Sequence, residues 1–330
     1  MNQFQYYRAE NETAAVERVS REKSAKFLAG GTNLIDLMKE TVENHQVLVD
    51  VSRLNLNQIK KTTGGVSIGA TAKNSETANH PLIKENYPLL AQAILSAASA
   101  QIRNMATNGG NLNQRTRCYY FYDPAMRCNK RAPGTGCDAL EGINNQHAVL
   151  GWSEKCVATN PSDMCVALAA LDATVTVRAA NNQTRSIPFT DFHRLPGENP
   201  ERDNTLQPGE LITAIELPKS NFAKNSYYLK IRDRASYAFA LVSVAAALEV
   251  KGDTIRQARI ALGGVAHKPW RAFEAEKLLT GAKAGEAIFK QAAEAALRDA
   301  KPLARNEYKI ELAKRAIVRA VQKAFEGGIA

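Results

Sequence analysis

Lys26-Phe27-Leu28-Ala29-Gly30-Gly31-Thr32-Asn33-Leu34 is the stretch on which the fold turns. Lys26 to Ala29 reads as a short apolar strand, and Leu34, Leu37 and Met38 repeat at helical spacing, so the glycine pair joins a strand to a helix. Backbone N–H groups at a helix start can face an anion, and glycines let a phosphate approach the chain closely. Thr32 and Asn33 add side-chain donors. The stretch fits neither the GxGxxG dinucleotide fingerprint nor the GxxxxGK(S/T) P-loop, which argues against a nicotinamide Rossmann fold and a P-loop ATPase.

Upstream, Phe4 to Arg8 reads as a strand and Asn11 as the cap of a helix through Ala14, Val16 and Val19; downstream, Gln46 to Val51 returns as a strand. Residues 1–55 thus form a small α/β unit. Residues 56–222 form a second part. It opens with a hairpin, Ile59 to Thr63 and Val66 to Ile68, around Gly64-Gly65. A helix from Pro88 to Ala100 follows, then Thr107-Asn108-Gly109-Gly110-Asn111, which repeats the chemistry of the first glycine turn. Two such loops suggest two grips on one long polyphosphate ligand, or simply two tight turns. A helix over 161–171 and strands at Ala173 to Ala179 and Ile212 to Leu217 complete this part. Residues 223–330 carry an antiparallel hairpin, Leu241 to Val250 with Thr254 to Gly263, and helices over about 271–280, 284–299 and 307–325. The fold class is α+β.

A length of 330 residues predicts two or three domains, and 45% hydrophobic with 23% charged residues excludes a disordered or collagen-like chain. Apolar runs such as Leu241 to Leu248 are too short for a bilayer, and Met1 to Glu10 lacks the pattern of a signal peptide, so no membrane insertion is expected. The net charge of +10 is scattered; Arg315, Arg319 and Lys323 recur every four residues, as on the solvated face of a helix. With no zinc-finger or RNA-binding signature, no nucleic-acid partner is expected. His45, His80, His147, His193 and His267 form no metal-spaced pair, and no HExxH or GxSxG motif occurs, so no catalytic residue is assigned.

Cys118, Cys128, Cys137, Cys156 and Cys165 all lie within 48 positions. No CxxC pair occurs, which disfavours a zinc ribbon, and an odd count leaves one thiol over if disulfides form. An iron–sulfur cluster needs four converging thiolates without close spacing. Arg115, Arg117, Arg127, Lys130 and Arg131 are candidates to offset its charge, Tyr119 to Tyr122 and Trp152 to limit solvent, and Pro133-Gly134-Thr135-Gly136 to bend the chain around it. Cluster, disulfides, and unrelated thiols or zinc all remain open on these grounds.

Phe27 to Leu34, Gln101-Ile102-Arg103-Asn104 with Thr107 to Leu112, Pro161-Ser162-Asp163, Lys230 to Ser236, Gly263 to Ala266 and Trp270-Arg271-Ala272 together resemble the flavin-binding subunit of molybdenum hydroxylases. That group includes xanthine dehydrogenase, carbon monoxide dehydrogenase and bacterial aldehyde oxidoreductases. The resemblance covers nearly the whole chain except about 114–157. It implies a two-part PCMH-type FAD-binding domain followed by a carbon monoxide dehydrogenase flavoprotein C-terminal domain. It implies FAD held by Lys26, Phe27, Leu28, Ala29, Gly30, Gly31, Thr32, Asn33 and Leu34 at the pyrophosphate, and by Thr107, Asn108, Gly109, Gly110, Asn111 and Asp163 elsewhere. Ile212 and Lys230 occupy places that in the family approach the flavin. Asp163 also reads as a helix cap and Lys230 as a surface charge.

The segment 114–157 departs from the simpler members. Some relatives, including the β subunit of hydroxybenzoyl-CoA reductase, carry a [4Fe–4S] cluster in such an insertion, and this chain most resembles the FAD subunit of bacterial periplasmic aldehyde oxidoreductases. Cys118, Cys128, Cys137 and Cys156 fall inside the insertion and are expected to bind the cluster; Cys165 lies beyond it in a core helix. The implied function is electron transfer in a molybdenum-dependent aldehyde oxidoreductase. A molybdenum-cofactor large subunit and a [2Fe–2S] small subunit would complete a heterotrimer, and electrons would pass through FAD to an external acceptor. Periplasmic residence would require co-export with a signal-bearing partner; a cytoplasmic complex is the alternative. The rival functions are a flavin-free assembly scaffold and an FAD subunit acting on purines or aromatic acyl-CoA.

Overall fold

Asn11 starts the first helix: its Oδ1 accepts from Ala14 N at 2.9 Å, and Glu12–Arg21 follows. In the computed structural model, which describes residues 1–328, that helix packs beside a parallel sheet of β1 (Gln5–Arg8), β2 (Ala25–Leu28) and β3 (Val47–Asp50), ordered β1-β3-β2. Val47 to Asp50 is buried throughout, as a central parallel strand must be.

The second sheet is antiparallel, ordered β4-β5-β8-β6-β7: β4 (Ile59–Lys61), β5 (Gly65–Gly69), β6 (Thr174–Arg178), β7 (Thr184–Pro188) and β8 (Leu211–Pro218). Only Ile187 is buried on β7, so this edge strand carries no apolar alternation and was not legible from the sequence. The third sheet is β9 (Ser226–Ile231), β10 (Val242–Lys251), β11 (Thr254–Gly263) and β12 (Trp270–Arg271), ordered β12-β11-β10-β9. Helices Phe273–Leu279, Glu286–Ala296 and Tyr308–Phe325 share one apolar core with this sheet.

Every residue of the helix Asp163–Ala170 is buried, because it is packed into the core that runs from the second sheet to β10 and β11 of the third. Gly263 makes the approach possible, since a Cβ there would stand 2.6 Å from Val166 Cγ2. The helix expected over Pro88 to Ala100 stops at Ser96, and a second begins at Ala100, with Ala98 in the left-handed region between them.

The inserted segment is held by its neighbours rather than by a core of its own. Arg115 binds Glu43 and Asp203, each at 2.8 Å, and the buried Lys130 Nζ donates to Asp203 at 2.5 Å. Val149 N and Leu150 N both donate to Val265 O, and Lys301 N donates to Val149 O. Its chain thereby crosses from the first part of the molecule to the last.

Candidate cofactor cleft and cysteine cavity

Gly30 and Gly31 are glycines for different reasons. A Cβ on Gly30 would collide with the Met105 carbonyl, so the end of β2 presses on the backbone just before the second glycine pair. Gly31 has φ +70°, a conformation L side chains rarely adopt. Among the described residues, no protein group accepts from the N–H groups of Gly31, Thr32, Asn33 and Leu34. Such a run of unpartnered donors opening a helix suits an anionic ligand.

The second glycine pair is different. It opens a short helix, Asn108–Leu112, whose N–H groups already have acceptors: Asn108 N donates to Ala72 O at 3.0 Å, Gly109 N to Ala70 O at 2.8 Å and Gly110 N to Thr107 Oγ1 at 3.2 Å. Asn108 is fully buried, with Nδ2 donating to Thr77 Oγ1 at 2.8 Å and Oδ1 accepting from Asn74 at 2.9 Å. Asn111 Oδ1 accepts from Ser162 Oγ at 2.6 Å, tying this loop to the start of the core helix. Its geometry is that of a packed support, and the free donors belong to the first loop.

Ser162, not Asp163, caps that helix, accepting from Cys165 N at 3.1 Å. Asp163 instead accepts from Lys230 Nζ at 2.7 Å and Tyr228 OH at 2.7 Å, all inside the protein. Lys230 is therefore no surface charge; its side chain is 4% exposed and also donates to Ser96 O. Ile212 is buried against Gly109, 3.7 Å from where a Cβ would stand.

A cleft of about 780 Å³, its open mouth included, lies between the insertion, the start of the core helix and the third sheet. Arg117, Cys118, His147, Asp163, Phe239 and Gly264 are among the residues lining it. Of the positions expected to hold cofactor, Asp163 alone reaches this cleft. Arg117 comes from the insertion, donates to Asp36 Oδ2 at 3.0 Å and lies over the Phe239 ring. Arg117 Nε and His147 Nδ1 are buried without a partner, as expected of atoms beside a ligand site. Burial and the charge of Lys309 push the His147 imidazolium down to about 4, so the ring is neutral near pH 7. Nothing in its sequence context distinguished His147 except its place among the cysteines.

Sharing a wall with the cleft is a second, much smaller cavity, lined by Cys118, Cys128, Cys137 and Cys156 together with Phe121 and Lys130. All five cysteines are free thiols, and Cys165 sits apart in the core helix. Cys128 and Cys137 face each other across an antiparallel bridge, and Asn129 Oδ1 accepts from Gly134 N and Gly136 N to shape the turn between them. Burial pushes the Cys118 and Cys156 thiols up to about 12 and raises Cys137 as well. Among the described residues no three His, Cys, Asp or Glu side chains are close enough to share a single metal ion. A polynuclear cluster has different needs, since its thiolates stand apart around a space that its own atoms fill. Of the flanking residues, Arg127 and Lys130 line the cavity while also pairing with Asp138 and Asp203; Arg115, engaged by Glu43 and Asp203, and Arg131, engaged by the carbonyls of Tyr120 and Phe121, do not line it. Tyr119 is 58% exposed and is no apolar wall.

Residues 2–220 match the FAD binding domain in molybdopterin dehydrogenase, and residues 227–324 match the CO dehydrogenase flavoprotein C-terminal domain. The chain belongs to the molybdopterin dehydrogenase FAD-binding family. It is 47% identical over 98% of its length to the aldehyde oxidoreductase FAD-binding subunit PaoB of Escherichia coli strain K12, covering 99% of that protein. It is 31% identical to the glyceraldehyde dehydrogenase medium chain of Sulfolobus acidocaldarius, over 88% of this chain and 86% of that one. Carbon monoxide dehydrogenase from Hydrogenophaga pseudoflava shares the fold, with a TM-score of 0.78 at 24% identity over 98% of each chain. As a member of this family the chain is an FAD-binding oxidoreductase subunit of the molybdenum hydroxylase type. The free N–H run after Gly30 and the orphaned atoms in the cleft fit such a cofactor. No helix among the described residues is long and apolar enough to cross a membrane.

Proposed function

We propose that this chain is the electron-transfer subunit of a molybdenum-dependent aldehyde oxidoreductase, holding FAD extended from the first glycine loop into the cleft and a [4Fe–4S] cluster in the cysteine cavity. The observation that carries it is the shared wall: Thr116 and Cys118 line both spaces, so two electron carriers would lie side by side. When bound, FAD and cluster supply the redox chemistry. The protein binds, orients and shields them. The N–H groups of Gly31 to Leu34 hold the pyrophosphate, with Lys26 to Gly30 as its support. Met105 and Ala106 back that loop at Gly30, Ile212 packs on Gly109 of the second loop, and Asp163, fixed by Lys230, faces the cleft. Cys118, Cys128, Cys137 and Cys156 are the iron ligands; Lys130 offsets part of their charge, and Phe121 excludes water.

The aldehyde assignment rests on the names of the 47% and 31% identical relatives. A medium chain with no molybdenum chemistry of its own needs a large subunit carrying the molybdenum cofactor and a [2Fe–2S] small subunit, giving a heterotrimer. Periplasmic residence would follow a signal-bearing partner. The first test is a visible spectrum with iron and acid-labile sulfide assays on protein prepared anaerobically. Expected are a flavin band near ~450 nm, about four irons per flavin, and no aldehyde oxidation by this chain alone. A colourless protein would leave only the scaffold reading.

A further inference from the structure

His147 joins the two spaces. It lines the cleft, and its Nε2 lies 3.1 Å from Sγ of Cys118, which lines cleft and cavity alike. The ring is 3% exposed, and its Nδ1 has no partner. Its backbone is pinned from the last helix: His147 O accepts from Lys309 Nζ at 2.9 Å and from Asn306 Nδ2 at 3.2 Å. Lys309 is itself fully buried, and Nζ also donates to Gln146 O at 3.1 Å and Gly264 O at 2.5 Å. A buried lysine and a buried asparagine therefore aim one histidine at one sulfur. Packing alone does not call for this, because an apolar residue would fill the place without leaving a ring nitrogen desolvated and unpaired.

The geometry points to His147 as a positioning residue that, through an Nε2–H···Sγ hydrogen bond to Cys118, raises the reduction potential of the cluster at the sulfur nearest the cofactor cleft. The inference rests on the cysteine assignment proposed above. Reduction adds one electron, here from a chemical reductant such as dithionite, with no bond made or broken and no proton moved. The added negative charge spreads onto the ligand sulfurs, and an N–H donor to a sulfur stabilises it; hydrogen bonds of this kind are among the factors that set cluster potentials.

The test compares the intact complex with His147→Leu and His147→Gln complexes, by iron and sulfide per flavin and by a redox titration followed by electron paramagnetic resonance. All three are expected to keep the cluster. In His147→Leu the reduction equilibrium should fall at least tenfold, which is 59 mV for one electron. His147→Gln, which retains an N–H donor, should recover most of that shift. Equal potentials in wild type and His147→Leu at full iron content would overturn the inference. So would loss of the cluster from both variants with flavin retained, since His147 would then serve assembly. Absence of iron from the wild-type complex is a separate failure, visible before any variant is titrated, and it would remove the cluster reading and this inference with it.

Discussion

Lys230 Nζ stands 2.7 Å from Asp163 Oδ2, and each side chain is only 4% exposed, so the third sheet and the core helix are joined by a nearly buried charge pair at the wall of the cleft. Removing one partner leaves the other charge buried and uncompensated. Asp163→Asn should destabilise the protein by about 3–5 kcal/mol in urea unfolding. The double variant Asp163→Leu/Lys230→Met should lose less than the two single changes combined. Simple additivity would mean that the pair is not the connection described.

Gly31→Val tests the first loop. At φ +70° a β-branched residue is strained, at about 1–2 kcal/mol. The added Cβ would also press on Ile35 Cγ1 at 3.1 Å, displacing the run of free N–H groups. Flavin per protein, read from absorbance, should fall at least tenfold while far-ultraviolet circular dichroism stays native. Full flavin content would take this loop out of the binding site.

The ligand set is settled by five single alanine variants assayed for iron and sulfide per flavin. Cys165→Ala should keep its iron and lose only about 1 kcal/mol from a small cavity in the core helix. Alanine at Cys118, Cys128, Cys137 or Cys156 should abolish the cluster. Iron retained in Cys156→Ala and lost in Cys165→Ala would reverse the assignment.

Acid should loosen the insertion before the rest. Burial pushes the Glu43 carboxyl upward, but the hydrogen bond with His45 and the Arg115 guanidinium outweigh it and hold the group at about 2, against 4.5 when unfolded. Burial likewise works against Asp203, which Lys130 and Arg115 nevertheless keep well below the usual carboxylate range. A depressed carboxylate stabilises the fold fully above its unfolded value and loses that effect as pH falls toward its folded value. Urea midpoints should therefore drop between pH 4.5 and 2, and Glu43→Gln should show a shallower drop from a lower starting stability. Parallel curves would exclude Glu43 as a source of the acid sensitivity.

The first loop was legible because strand, glycines and helix lie side by side in the chain, and local spacing suffices for such a unit. The hairpin of β10 and β11 was equally plain from two apolar runs around Gly252. The different use of the two glycine pairs was not visible, because Gly109 and Gly110 find their acceptors in the turn at Ala70 and in Thr107. The cleft was read least well. It is assembled from Arg117, His147, Phe239 and Gly264, which come together only when the insertion meets the third sheet, and no periodicity marks them in advance. The cysteines were conspicuous by count, but their common cavity depends on contacts from Asp203, Val265 and Lys309 far along the chain.

That last dependence has a bearing on biosynthesis. The segment that carries the four cavity cysteines emerges from the ribosome well before Lys309, the residue that pins Gln146 and His147 from the final helix. At about 5–20 residues per second, roughly ten to thirty seconds separate Cys156 from its last fastener. During that interval the thiols hang on an unfinished frame, open to oxidation and to the wrong metals. If the cavity takes the proposed cluster, its iron would be loaded into the released polypeptide, and a cell short of reducing power would lose this subunit at the moment of its making.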